Sequence, residues 1–378
     1  MPGRWQAFPT SEFETRVKNV QVAMRDRQID LLLLHAPENI YYLTGFQTSG
    51  YFAYQMLAVP PRGTPVLLVR YLERGNIHEY SWLEEYDTWK EGDDVAIRSA
   101  DVIKKLGADD ARIGIERSSW YLTVDIADRL RSALPRVTWL DAGQLVEKIR
   151  IIKSDRELSY VAKAGAIAEA EMRAAIEVLC DGVTEAEVAA AVYQAGVLRG
   201  CEYTGLPHHI MSGHRYDVCH ANWSPKKIVK GELVLLELYG CVERYHATQM
   251  RTFSIGTPSR EAQDAADLVV KAQDAALKAL QPGASSLHVD RLVRQPIRVI
   301  RPDYYNRSGY STGIGFPPKT AEWETLDFNE QSDWTVREGM AFHMLALAKG
   351  FGISETVIVT GKGGERVTPD NPRQLIVI

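Results

Sequence analysis

Four of the nine histidines fall between positions 208 and 220. Such density marks the stretch for proton transfer, because imidazole is the side chain that titrates nearest neutrality. His208 and His209 precede Ile210-Met211-Ser212-Gly213-His214, and His220 follows Cys219 and leads into Ala221-Asn222-Trp223. A lone histidine is usually structural, so it is the cluster that carries the reading. Glu237 lies inside Leu233-Val234-Leu235-Leu236-Glu237-Leu238, a strand-like run of apolar neighbours. An unpaired buried carboxylate is costly, so Glu237 must be paired, ligated or protonated. Arg244 and Arg251 are the nearby candidates for a purely structural ion pair. His343 in Met340-Ala341-Phe342-His343-Met344-Leu345 and Glu355 in Ile353-Ser354-Glu355-Thr356-Val357 have similar settings. Three ionisable residues on three apolar strands predict a lined cavity.

Gly309-Tyr310-Ser311-Thr312-Gly313-Ile314-Gly315-Phe316-Pro317-Pro318 has the glycine density of a phosphate loop. It lacks the Lys-Ser/Thr ending of a P-loop and the leading strand of a dinucleotide fingerprint. Its glycines are read instead as letting backbone approach a ligand or a neighbouring strand. Trp223, Tyr239, Trp323 and Trp334 are either core or the walls of a cage for a cation, with core the default. Cys180, Cys201, Cys219 and Cys241 show no CxxC spacing, so neither a disulfide framework nor a structural zinc site is expected.

The elements that must position these residues fall into two regimes. Up to about residue 150 the chain alternates: an amphipathic helix over 11–28, a buried strand at Asp30-Leu34, and a second helix starting at Asn39 and stopping near Gly45. Further strands follow at Val66-Val69 and Ile113-Ile115, with helices near 97–106 and 123–133. This is an α/β pattern. Ser154 with Glu157, and Thr184 with Glu187, have capping-box spacing and open two long helices over about 155–180 and 185–199. Strand-like runs then appear at Leu233-Leu238, Arg251-Ile255, Met340-Leu347 and Thr356-Val359, with a helix at about 260–280 between the pairs. Lys230-Gly231-Glu232-Leu233-Val234 and Arg337-Glu338-Gly339-Met340-Ala341 echo each other, each leading from a turn into a strand, which hints at two related halves.

Composition bounds the class. At 378 residues, 45% hydrophobic and 25% charged, the chain is an ordinary globular one long enough for two domains. Its formal charge of −5 argues against nucleic acid as principal partner. No apolar run reaches the ~18–20 residues of a membrane helix. The opening Met1-Pro2-Gly3-Arg4-Trp5 lacks the apolar segment of a secretory signal, so a cytoplasmic location is expected.

The order of motifs resembles the creatinase, prolidase and aminopeptidase P superfamily (M24) over nearly the whole chain. The resemblance is carried by Ile40-Tyr41-Tyr42-Leu43-Thr44-Gly45-Phe46, by Arg150-Ile151-Ile152-Lys153-Ser154, and by His220 ahead of Lys230-Gly231-Glu232. Arg251-Thr252-Phe253, Gly313-Ile314-Gly315 and the strand Ile353-Ser354-Glu355-Thr356-Val357-Ile358-Val359-Thr360 complete it. It implies an α/β N-terminal creatinase-like domain over 1–153, an α+β pita-bread catalytic domain over 154–378, and a homodimer. In such dimers an N-terminal loop reaches the neighbouring subunit's site, and by position that loop is Gln47-Thr48-Ser49-Gly50-Tyr51-Phe52.

Peptidases of this superfamily hold two metal ions through two Asp, one His and two Glu. By motif position this sequence offers Glu237, Thr248, Thr312, Leu345 and Ser354. One carboxylate of five remains. Leucine cannot ligate and neutral hydroxyls are poor substitutes, so neither a metal, another cofactor nor ordinary Xaa-Pro peptidase activity is expected. Metal-free members cleave C–N bonds in small guanidino or amidino compounds. Glu237-Leu238-Tyr239-Gly240-Cys241-Val242-Glu243-Arg244-Tyr245-His246-Ala247 and Arg307-Ser308-Gly309-Tyr310-Ser311 resemble ectoine hydrolases, as do Phe342-His343-Met344 and Ile353-Ser354-Glu355. Met250 stands where creatinase has a Glu. Two departures from ectoine hydrolases are Lys319-Thr320-Ala321-Glu322-Trp323-Glu324 in place of Asp-Trp-Gly-Glu, and Ala346-Leu347 in place of Pro-Gly. The resemblance makes Glu237, His220 and Glu355 catalytic. His343, Tyr310, His246, Tyr239, Trp223, Tyr51 and Phe52 become the contacts to a small-molecule substrate.

Overall fold

The computed structural model describes residues 5–216 and 218–378; residues 1–4 of the N-terminal stretch read above, and Asp217, lie outside the described residues. The chain divides into two compact units, Met1–Arg150 and Ile151–Ile378.

In the first unit, helices α1 (Thr10–Asp26), α2 (Pro37–Thr44), α3 (Arg74–Tyr80), α4 (Val95–Lys105), α5 (Val124–Ala133) and α6 (Leu145–Arg150) accompany a six-stranded mixed sheet. The strands are β1 (Leu31–Leu34), β2 (Met56–Val59), β3 (Val66–Arg70), β4 (Tyr86–Trp89), β5 (Arg112–Ile115) and β6 (Thr138–Asp141), in the order β4-β3-β2-β1-β5-β6. β1 and β2 are buried along their whole length; β1 reads as an unbroken apolar run, whereas β2 escapes the sequence reading. The edge strands β4 and β6, absent from the sequence reading, are half-exposed and mixed in character, so neither period 2 nor an apolar run betrays them.

The second unit holds α7 (Asp155–Val178), α8 (Glu185–Val197), α9 (Arg260–Ala279) and α10 (Ser286–Ile300). Both predicted capping boxes form, Ser154 with Glu157 and Thr184 with Glu187. The strands are β7 (His209–Ser212), β8 (Leu233–Val242), β9 (Tyr245–Ser254), β10 (Gly309–Ser311), β11 (Asp327–Phe328), β12 (Ala341–Ala348), β13 (Phe351–Thr360), β14 (Gly363–Arg366) and β15 (Ile376–Val377). They form a nine-stranded sheet whose main path is β11-β10-β12-β13-β9-β8-β7.

The architecture is duplicated. A helix pair followed by a long hairpin occurs twice, α7-α8 with β8-β9 and α9-α10 with β12-β13. Each hairpin turns on two consecutive residues at positive φ, Glu243-Arg244 and Lys349-Gly350, the conformation whose twist matches that of the flanking strands. Four helices cover one face of the sheet. Leu236, Leu238 and Phe253 pack there with α7 and α8, while Phe342, Met344, Ala346, Ile353 and Val357 pack with α9 and α10. Gly240 sets the approach of α7, since a Cβ at that position would sit 1.9 Å from the Ala164 carbonyl oxygen.

Because strand side chains alternate, residues paired across the sheet share a face. In β8 the helix-facing Val234, Leu236 and Leu238 are buried, whereas Leu233, Leu235 and Glu237 keep partial exposure. β12 ends the same way, with Leu345 and Leu347 partly exposed between buried neighbours. The face opposite the helices is therefore the one partly open to solvent.

Candidate active site

Two rows of side chains run across this open face. The first passes from His209 to Glu237, Met250, Ser354 and Leu345, each the register partner of the last. The second joins Tyr239 to Thr248 and, beyond a hydrogen bond of 2.7 Å from the Thr248 amide to the Thr356 hydroxyl, runs to His343 and Tyr310.

Glu237 is the centre. Its neighbours across and along the sheet, Met250 and Leu235, are apolar, and burial pushes its carboxyl up to about 7 against a pull downward from the Tyr239 hydroxyl. Neither arginine suspected of pairing with it does so. Arg244 is held by Glu202 at 3.3 Å and by the carbonyls of Tyr203 and Gly315. Arg251 lies on the helix side, 2.8 Å from Glu355. Glu237 has no ion pair among the described residues, so the structural reading of this carboxylate falls away.

Three of the candidate histidines are in different states. His209, directly across from Glu237 in the register, is 1% exposed, and neither ring nitrogen makes a well-formed hydrogen bond, the Ala221 backbone being only a loose partner. Burial drives it down to about 4, assisted by the neighbouring His220 and opposed by the Ala221 backbone. His220 is exposed, stands at φ 60° and places its ring centroid 5.6 Å from that of His209. His343 is wholly buried; its Nδ1 meets the Tyr310 hydroxyl at 2.7 Å while its Nε2 has no partner. Burial lowers His343 to about 3 and pushes the Tyr310 hydroxyl well up, so both are neutral near pH 7. Tyr239 is likewise buried, and its hydroxyl is pushed up first by burial and then by the charge of Glu237.

Other sequence-predicted residues are placed differently. Glu355 points to the helix face, where it meets Arg251 at 2.8 Å, Arg373 at 3.2 Å and Arg366 at 3.3 Å, and accepts a hydrogen bond from Thr368 at 2.5 Å. That cluster spends its charge in the core and takes it out of the cavity expected to join Glu237, His343 and Glu355. His246 shares the open face, but its Nε2 accepts from the Gly205 amide at 3.0 Å and its Nδ1 lies 3.0 Å from the Arg244 carbonyl oxygen. Both nitrogens are occupied with backbone. Trp223 packs edge-on to Tyr193 and against the α7-α8 core, which makes it a core flank and not a cage wall. In the first unit, Tyr51 stacks edge-on to Tyr121 and Phe52 is 79% exposed.

His209 is the residue that the sequence reading left in its cluster without a role. Its position follows from the pairing of the short strand β7 with β8, a long-range register that no local pattern announces. The histidine density at 208–220 was the available signal.

The donor set at the five positions of the two-metal site does not fit such a site. Thr248 and Thr356 bond each other's strands, the Thr312 hydroxyl donates to the His246 carbonyl, Leu345 has no donor atom, and the Ser354 hydroxyl has no partner. Among the described residues no group of three or more His, Cys, Asp or Glu side chains converges as metal ligands would.

The α/β unit, the duplicated helix-and-hairpin unit and an acidic centre on its open face together define a pita-bread hydrolase with an N-terminal creatinase-type domain. The chain belongs to the metallopeptidase family M24: that family's profile matches residues 159–363, and the Creatinase/Prolidase N-terminal domain matches residues 16–152. An uncharacterized hydrolase/peptidase of Sinorhizobium fredii is 31% identical over 98% of each chain. The ectoine hydrolase of Halomonas elongata is 24% identical, again over 98% of each. The crystal structure of the prolidase from Pyrococcus horikoshii superposes with a TM-score of 0.82 over 96% of this chain and all of the other, at 24% identity, which shows the shared fold. No helix among the described residues is long and apolar enough to cross a membrane.

Proposed function

We propose that this protein is a metal-independent hydrolase that cleaves a C–N bond of a small amidine or guanidino compound, with ectoine-type ring opening as the leading reaction. The observation that carries the reading is Glu237: an unpaired carboxyl raised to about 7, on the open face, as the one acid left among five positions that hold metal in the peptidases. Identity does not choose a substrate, since the ectoine hydrolase is 24% identical and the Xaa-Pro dipeptidases of Pyrococcus horikoshii and Pyrococcus furiosus are 26% and 27% identical. The donor set speaks against the peptidase side.

An amidine carbon is electrophilic and its nitrogens carry positive charge that a carboxylate attracts. Ionised Glu237 adds to that carbon, or takes a proton from a water that adds to it. The C–N bond then breaks, its electron pair goes to the departing nitrogen, and His220 supplies the proton that makes it an amine. Where Glu237 has added directly, water then adds to the same carbon and the carbon's bond to the Glu237 oxygen breaks, returning the carboxylate. In either case water is the only co-reactant and the products are an amide and an amine. The neutral His343-Tyr310 pair, with its unpartnered Nε2, would hydrogen-bond the tetrahedral intermediate. His246 is a backbone clamp and Glu355 a core ion cluster, so we assign neither to substrate.

A substrate other than ectoine is favoured by one feature. The loop that departs from ectoine hydrolases has both its carboxylates paired, Glu322 with Lys153 at 2.7 Å and Glu324 with Lys319 of the loop itself, which leaves them facing cations of the protein.

Mass spectrometry of products from metal-stripped protein tests the class. Ectoine, 5-hydroxyectoine, creatine and an Xaa-Pro dipeptide would each be incubated with and without added divalent metal. Ring-opened N-acetyl-diaminobutyrate without metal is the expected product. Dipeptide cleavage that requires metal would overturn the reading.

A further inference from the structure

An amidinium offers more than one N–H, and the reaction needs acceptors for those that Glu237 does not take. Glu355, the acid expected to hold the cation, is on the helix face with three arginines. The acceptor must therefore come from the open face, beside Glu237.

His209 is placed there. It pairs with Glu237 across β7 and β8, which sets the two Cβ atoms about 5 Å apart. Its ring is tilted against that of His220 and edge-on to Tyr239, with centroid separations of 5.6 and 5.8 Å. The imidazole is 1% exposed, yet apart from a loose contact with the Ala221 backbone neither nitrogen has a partner. Leaving buried polar groups unsatisfied costs about 1–3 kcal/mol each, and native structures seldom tolerate it without a ligand, ion or water to take the vacancy. The contrast within the same sheet face is direct: buried His246 has both nitrogens bonded to backbone.

We propose that His209 is a substrate-binding residue of this site, whose neutral imidazole accepts a hydrogen bond from an amidinium N–H while Glu237 engages the amidine carbon. The inference rests on the amidine reading of Glu237 and adds to it the second acceptor for the cation. A neutral imidazole carries one lone pair and one N–H. Beside a cationic substrate the lone pair is the useful half, and the remaining N–H is free to reach the Glu237 carboxylate or an oxygen of the substrate. Leu235 has no side-chain acceptor and Met250 only a weak one, its thioether sulfur.

The test combines His209→Leu, His209→Asn and His209→Gln with two readouts, all on the full chain and with thermal melting to confirm folding. The first is kcat and KM for ectoine; the second is calorimetric binding of acetamidinium against its neutral analogue acetamide. We expect His209→Leu to raise KM about tenfold with kcat within about threefold, and to abolish the preference for acetamidinium. One of the two amide variants, whose side-chain oxygen replaces the acceptor nitrogen, should restore both. Unchanged KM and unchanged acetamidinium binding in His209→Leu would overturn the inference and leave the amidine reading standing. Wild-type protein that neither binds acetamidinium nor turns over any amidine would overturn the reading itself, and the role of His209 with it.

Discussion

At the scale of single residues, the argument rests on how burial tunes acids and bases placed side by side. Glu237 is raised to about 7 by its apolar surroundings while His209 and His343 are lowered to about 4 and 3 by the same cause. The site thus holds a carboxyl that changes charge near neutrality together with two buried imidazoles that stay neutral there. If ionised Glu237 is the nucleophile or base, kcat/KM should rise with pH through about 7 and level off above it, and Glu237→Gln should nearly abolish turnover. A pH–rate profile flat from 6 to 8 would remove Glu237 from the chemistry. Stability must move the opposite way. A carboxyl raised in the folded state binds more protons there than in the unfolded chain, so stability falls as pH climbs from about 4.5 to about 7. Glu237→Gln should therefore melt higher than wild type at pH 8, by roughly 1–2 kcal/mol after allowance for the partial exposure of the site, with the difference shrinking toward pH 5.

Elements decide which of these residues can meet, and here the sequence is informative only up to a point. The strand runs holding Glu237, His343 and Glu355 are legible because each is apolar, and both capping boxes that open α7 and α8 can be read directly. What cannot be read is the side of the sheet. β13 is buried over most of its length on both faces, so no polar alternation distinguishes Ser354 and Thr356 from Glu355. The register does so: Ser354 pairs with Met250 and Leu345 on the open face, which sends Glu355 the other way. Helix α10 escapes the sequence reading too. Pro296 interrupts its amide pattern, while Val289, Val293 and Ile297 at helical spacing bury one face. The Glu355 cluster gives a prediction at this scale. Glu355→Ala leaves Arg251, itself buried, without its counter-charge, and chemical denaturation should show a loss of about 3–5 kcal/mol. The fraction that remains folded should keep a kcat/KM within a few-fold of wild type; its loss, with stability intact, would return Glu355 to the reaction.

For the whole molecule, duplication explains why the site is divided as it is. The first hairpin, β8-β9, carries Glu237 and Tyr239, and the second, β12-β13, carries His343 and Ser354; neither half holds the constellation alone. The sequence hints at the two halves through the echo before β8 and β12, and the family resemblance leads us to propose a second copy of the chain. Within the first unit the loop from Gln47 to Phe52 has the properties such a copy would use. Thr48 donates to Glu73 at 2.5 Å, and Gly50 is packed so closely against that carboxylate that a Cβ would lie 2.5 Å from its Oε1. Tyr51 rests on Tyr121 at 6.0 Å. An anchored loop of this kind presents Phe52, 79% exposed, at little further entropic cost. Exposure of one phenylalanine is ordinary; fixing its backbone while leaving the ring in solvent is what suits it to a partner. Light scattering should find a homodimer, and Phe52→Ala should leave both the dimer and the melting temperature unchanged while lowering kcat/KM about tenfold through KM. A monomer with full activity would overturn that assignment, and so would a dimer in which Phe52→Ala turns over as wild type does.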